Sequence, residues 1–207
     1  MNEEFINSIG IHTTYDFSHL KDQKYVIFWG GTDVNPALYG EKPSPYTQRP
    51  DIRRDILEIA MAKYCVANKI PMIGICRGAQ LLNVFNGGKL IQDITNHTGA
   101  HIMRTYNGRE IRVNSTHHQM MVPTLHAVIL GTAHHPSKGL MDDVHVDLSS
   151  TFEVLAYPDT NTLCIQYHPE WMEDKSEGVQ FAKEMANKYL GLKQVIFSDN
   201  SQWYGDI

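Results

Sequence analysis

The stretch MIGICRGAQLLNVF, residues 72–85, runs from the apolar MIGI through Cys-Arg-Gly into a helical pattern. A short unbroken apolar run is the mark of a strand buried on both faces, and such a strand requires helices above and below it. Gly74 and Gly78 let the chain turn sharply between strand and helix, so Cys76 falls on a corner with the form of a nucleophile elbow, cysteine standing where serine is usual. The helix start there favours a thiolate and leaves the Arg77 N–H free for a developing oxyanion. Taken alone, the corner is equally compatible with an inert packed cysteine.

The flanking sequence fits the same frame. KYVIFWGG (24–31) is an apolar run closed by two glycines, predicting a buried strand over Tyr25–Trp29. Residues 31–50 are rich in Gly, Pro and Asn and read as a long loop. Asp51 is placed to cap a helix reaching about Asn68, which KIP then ends. The helix after Cys76 is expected from about Gly78 to Phe85, stopped by Gly87-Gly88. Strands are predicted at 109–115, 126–133, 152–158 and 162–169, and a last helix at about 175–190. Strands alternating with helices early in the chain predict an α/β protein, its mainly parallel central sheet flanked by helices. The strand-rich second half adds hairpins or a mixed edge.

Composition removes several classes of function. The net charge is −5 and no Lys/Arg run exceeds two residues, so a nucleic-acid partner is not expected. No apolar stretch approaches the roughly 18 residues that span a bilayer, and no membrane association is expected. The acidic start MNEEFINSIG lacks a signal-peptide core. Three widely spaced cysteines argue against a disulfide framework and for a reducing, cytoplasmic setting. A length of 207 residues suits one domain, read here as 1–190 with an extension at 191–207 of unassigned role.

A thiol that attacks an amide needs a group to protonate the departing nitrogen. QYHPEW (166–171) offers His168 at the end of an apolar strand, with Glu170 two residues on, on the same side of an extended chain. In isolation His-Pro-Glu reads as a solvated turn. Beside a cysteine elbow it reads as a general acid/base and its orienter. The second oxyanion donor is sought in Gly30-Gly31, which closes the adjacent strand at the edge where open α/β sheets bind ligands.

Together, GICRGAQLLNVFNGG and CIQYHPEW resemble the class I glutamine amidotransferases and their γ-glutamyl hydrolase relatives, the peptidase C26 group. GGTDVNPALYGE (30–41), ICRGAQLLNVFNGGKLIQDI (75–94) and VNSTHHQ (113–119) look like motifs of the branch that hydrolyses γ-glutamyl amides such as γ-glutamyl-γ-aminobutyrate. The resemblance implies a flavodoxin-like fold, with Cys76 as nucleophile, His168 as general acid/base and Glu170 as its orienter. It places the oxyanion between the N–H groups of Arg77 and of Gly30 or Gly31, with Gly31 preferred. It further implies that Gly30, Gln80, Ser115 and His117 approach the substrate, that no cofactor or metal is needed, and that glutamate leaves by way of a glutamyl-thioester.

Three further functional readings remain: a glutaminase subunit delivering ammonia to a separate synthetase chain, a catalytically silent binding module, and a cysteine sensor. The intact Cys-His-Glu set argues against the last two. His97 and His101 are four residues apart, but Gly99 between them predicts a loop rather than a metal-binding helix face. Cys65 and Cys164 read as packing residues, AHHPSKG (133–139) as a polar loop, and loops 31–50 and 95–108 as walls of the amine pocket. Trp171 either walls that pocket or packs. Relatives begin with a strand and helix before the segment matching SIGIHTTYDF, so part of that unit is expected to be absent, leaving either a smaller sheet or an exposed edge covered by a partner or a second copy.

Overall fold

The computed structural model describes residues 15–134, 137–141 and 144–197. Among the described residues three α-helices are present: α1 (Ile52–Ala67), α2 (Arg77–Phe85) and α3 (Glu177–Leu190). The Asp51 carboxylate accepts from the N–H groups of Arg53 and Arg54 and starts α1, while Ser176 caps α3 and Gly191, at φ 69°, closes it. The strands are β1 (Val26–Phe28), β2 (Met72–Ile75), β3 (Lys89–Ile91), β4 (Asp93–Ile94), β5 (His101–Thr105), β6 (Glu110–Val113), β7 (Met120–Val122), β8 (Val128–Ala133), β9 (Ser137–Met141), β10 (Val144–Leu148), β11 (Thr151–Tyr157) and β12 (Thr162–Ile165).

Seven strands form the central sheet, in the order β1-β2-β12-β11-β8-β5-β6. β2 is parallel to both β1 and β12, and every pairing beyond β12 is antiparallel. The sheet is thus mixed, with its parallel part confined to three strands, rather than mainly parallel. Connection length is the cause: β1 and β2 are joined through α1, and β2 and β12 are far apart in the chain, whereas β5–β6 and β11–β12 are joined by short turns that permit only antiparallel pairing.

Alternation along the strands divides the core. Met72, Cys164, Leu155 and Tyr157 face α1 and α2, while Ile73, Ile75, Leu163, Ile165 and Val154 face α3. Cys65 and Cys164 pack in the first of these layers, and burial pushes both thiols up, Cys65 to about 11. Segment 95–108, read as a pocket loop, instead carries β5, an inner strand of the sheet. The short ribbons β10-β9-β4 and β3-β7 were not legible, being two to five residues long without a clean apolar alternation. Residues 135–136 of the predicted polar loop lie outside the described residues, and the sequence resumes in β9.

After Gly191 the chain returns towards β1. Val195 is buried in the layer that faces α3, and the Ile196 N–H donates to the Tyr25 hydroxyl. The segment 8–14 of SIGIHTTYDF and residues 198–207 of the C-terminal extension lie outside the described residues.

The two elbow glycines serve close packing, and neither has a positive φ. A Cβ at Gly74 would lie 2.6 Å from the Ala79 backbone, and one at Gly78 would overlap the Phe28 carbonyl. Gly78→Ala gains about 1 kcal/mol of helix propensity. The overlap is with backbone and moves α2 off β1, so a net loss of up to about 3 kcal/mol is expected in urea unfolding.

Candidate active site

Cys76 caps α2 in an unusual backbone conformation, φ 51° and ψ −111°. A non-glycine residue held there costs about 1–3 kcal/mol. The conformation is pinned from both sides: the Cys76 N–H donates to the Ile165 carbonyl of β12, and its carbonyl accepts from the Gln80 N–H. The corner therefore belongs to Cys76 itself rather than to the glycines around it. Burial pushes the thiol up to about 12, and the carboxylates of Glu170, Asp33 and Glu153 add to this, against the backbone hydrogen bond from Arg77. Desolvation thus works against the helix start, which by itself favours a thiolate, and shifts the balance towards the neutral thiol.

His168 stands across Gly30 from Cys76: a Cβ built on that glycine would lie 3.2 Å from His168 Cε1 and 3.7 Å from Cys76 Cβ. His168 Nδ1–H donates to Glu170 Oε1 at 2.7 Å, with both side chains buried. The two meet through a tight 3-10 turn over Pro169–Trp171 rather than along an extended strand. In the neutral imidazole this donation leaves Nε2 as the acceptor, and the Thr116 hydroxyl lies 3.1 Å from it. Asn114 holds the His168 backbone twice, accepting from its N–H and donating to its carbonyl. Trp171 stacks on the imidazole with ring centroids 3.7 Å apart and lines the pocket, which answers whether it walls or packs.

The Arg54 guanidinium binds the carbonyls of Trp29 and Gly30, each at 3.1 Å, and ion-pairs with Glu58. In a trans peptide the N–H points opposite the C=O, so the N–H groups of Gly30 and Gly31 are turned away from Arg54. A Cβ at Gly31 would collide with that guanidinium. The Arg77 side chain, by contrast, is directed away from the pocket lining, buried in ion pairs with Asp55 and Glu58 of α1.

These groups line a cavity of about 410 Å³ with Asp33, Gln48, Gln80 and residues 116–119. Gln80 donates to the Gln119 carbonyl and to Gln166 Oε1, and His117 reaches the cavity wall. Ser115 does not line it. Its hydroxyl donates to the His97 carbonyl, and Thr116 takes the place expected of it, because neighbouring residues of an extended segment point to opposite sides. Loop 31–50 contributes Gly31, Asp33 and Gln48, whereas 95–108 contributes nothing. Asp33 joins the two quoted loop motifs: it accepts from the Gln48 N–H, Gln119 Nε2 and His118 Nε2, and His118 also reaches Asp93. The sequence reading missed Asn114, Thr116, Arg54 and Asp33. The first two stood inside VNSTHHQ, and only neighbours in space could have singled them out.

The fold is that of the class I glutamine amidotransferases. A glutamine amidotransferase from Thermotoga maritima superposes with a TM-score of 0.53 at 15% identity, covering 92% of this chain and 72% of that one. The chain belongs to the peptidase C26 family, which it matches over residues 18–170. It is 34% identical over 180 residues to a Mycobacterium tuberculosis protein provisionally named a glutamine amidotransferase, a match covering 80% of this chain and 56% of that protein. It is also 27% identical over 171 residues to the gamma-glutamyl-CDP-amidate hydrolase of Campylobacter jejuni, covering 82% and 73%. The chain thus spans little more than half the length of its mycobacterial relative.

Proposed function

We propose that this protein hydrolyses a γ-glutamyl amide through Cys76, His168 and Glu170, releasing glutamate. The observation that carries the reading is the strained cysteine corner facing, across Gly30, a buried histidine already hydrogen-bonded to a carboxylate. Family membership and the amidate-hydrolase relative support it. The branch acting on γ-glutamyl amines is favoured by GGTDVNP and VNSTHHQ, whose Asp33, His118 and Gln119 interlock at the cavity.

In the first step the Cys76 sulfur attacks the γ-carbonyl as its proton passes to His168 Nε2, and Glu170 stabilises the imidazolium. The N–H groups of Arg77 and Gly31 hold the oxyanion. His168 then gives its proton to the leaving nitrogen, the C–N bond breaks, and a glutamyl-thioester remains. Water attacks this thioester, surrendering a proton to His168, and the C–S bond breaks. The sulfur recovers its proton and glutamate departs.

Glutamate release from glutamine and a panel of γ-glutamyl amines, with Cys76→Ala as control, tests this. Release from one amine by the wild type alone is expected. Activity on glutamine only, appearing when a synthetase is added, would replace this reading with the ammonia-delivering subunit. Release that survives Cys76→Ala would remove the mechanism. Arg54→Met is expected to lower kcat by about 100-fold with a much smaller change in KM, because it frees the carbonyls that aim one oxyanion donor. Steady-state kinetics on the best amine would check this.

A further inference from the structure

His97, His117 and Glu153 take no part in the chemistry above, yet all three are buried, Glu153 completely. His117 Nδ1–H donates to the Gln119 carbonyl at 2.9 Å, which fixes the tautomer that leaves Nε2 as a bare lone pair. That Nε2 is buried and has no hydrogen-bond partner. Glu153 Oε1 receives His97 Nε2 at 2.9 Å and lies 3.3 Å from His101 Nε2, while its Oε2 is likewise buried and without a partner. Two lone-pair donors facing one small space cannot satisfy each other, whereas a cation satisfies both.

We propose that His97, His117 and Glu153 form a binding site for a divalent transition-metal ion of the zinc class. One donor atom from each residue lies within 4.8 Å of the other two. Zinc bonds of about 2.0–2.2 Å set neighbouring ligand atoms roughly 3.3–3.5 Å apart, so small side-chain rotations close the site. Imidazoles with one carboxylate suit zinc better than magnesium or calcium, and a water molecule would complete the four-coordinate set. The Gln119 carbonyl behind His117 is the outer-shell partner that metal-bound histidines characteristically have.

The backbone delivers these ligands deliberately. The β11–β8 register shifts between Phe152 and Val154, a bulge that re-aims Glu153 out of the strand's alternation. The loop carrying His97 is tied to Ser115 by two hydrogen bonds, Ser115 Oγ to the His97 carbonyl and Gly99 N–H to the Ser115 carbonyl. The ion would therefore join the central sheet, the 95–100 loop and the segment whose Thr116 touches His168. Its role is structural, and no step of the proposed hydrolysis uses it.

Metal analysis of the whole protein, equilibrated with zinc and passed through gel filtration, tests this independently of the hydrolase reading. About one equivalent of zinc should be retained, and its addition to chelator-stripped protein should raise the melting temperature by several degrees. His117→Ala and Glu153→Gln should each weaken binding by more than the roughly 10–100-fold that loss of an outer-shell partner costs. Cys76→Ala should bind as the wild type does. Should the ligand variants fail to fold, wild-type protein loaded with cobalt(II) decides the matter: tetrahedral visible bands without sulfur-to-metal charge transfer are expected. Folded protein that retains no metal and whose melting is indifferent to zinc and chelator would overturn the proposal and leave a buried His–Glu ion pair. Zinc lost on Cys76→Ala, or a sulfur charge-transfer band, would overturn it too by placing the ion on the thiol.

Discussion

Cys76→Ala is expected to lower kcat for γ-glutamyl amide hydrolysis by about 10⁴-fold or more, to the level of background, because the covalent route has no other nucleophile. Stability should move differently. Alanine keeps the strain of φ 51°, whereas glycine enters that conformation without penalty. Cys76→Gly should thus be as inactive as Cys76→Ala and more stable than it by about 1–2 kcal/mol. Thermal unfolding of the two variants side by side, with activity measured on the same samples, checks both halves. Equal stability would mean that the corner stores no strain. An active Cys76→Gly would remove the cysteine from the chemistry.

Arg77 separates backbone from side chain in the same way. Its N–H is proposed to hold the oxyanion, while its guanidinium is buried between Asp55 and Glu58. Asp55 in turn accepts the Asn35 N–H, which ties the start of the long loop to α1. Arg77→Met leaves two buried carboxylates facing each other with Arg54 as the remaining cation beside Glu58. A destabilisation of about 3–5 kcal/mol is expected, since breaking a buried ion pair strands a desolvated charge. In a chain of this length that lowers the melting temperature by about 6–20 °C. Below the melting point, the folded fraction should keep substantial activity because the N–H is unchanged. A variant that melts with the wild type but is inactive would reverse this division of roles.

Local pattern carried much of the architecture. The apolar run before Cys76, the Asp51 cap and the glycines after Phe85 each act within a few residues. The helices and the strands around them accordingly lie close to where the sequence puts them. His168 and Glu170 were legible for the same reason, since two residues separate them and a proline restricts the link. Where the reading erred, the deciding partner was distant in the chain. The choice between Ser115 and Thr116 turns on which side of an extended segment faces His168, some fifty residues away. The antiparallel half of the sheet follows from which strands become neighbours, and the two small ribbons exist only because other segments cover them.

By itself, then, the sequence determined a cysteine at a strand-to-helix corner, a His-Pro-Glu turn after an apolar strand, and an α/β frame to hold both. These depend on backbone propensity and short-range spacing, which the chain carries everywhere it goes. The tertiary structure alone decided that the Cys76 thiol is buried near carboxylates, that the Arg77 side chain pairs with Asp55 and Glu58 of α1, and that His97, His117 and Glu153 share one buried space. Burial and ion pairing of this kind arise from segments remote in the chain, and they come into being only when the chain has closed on itself.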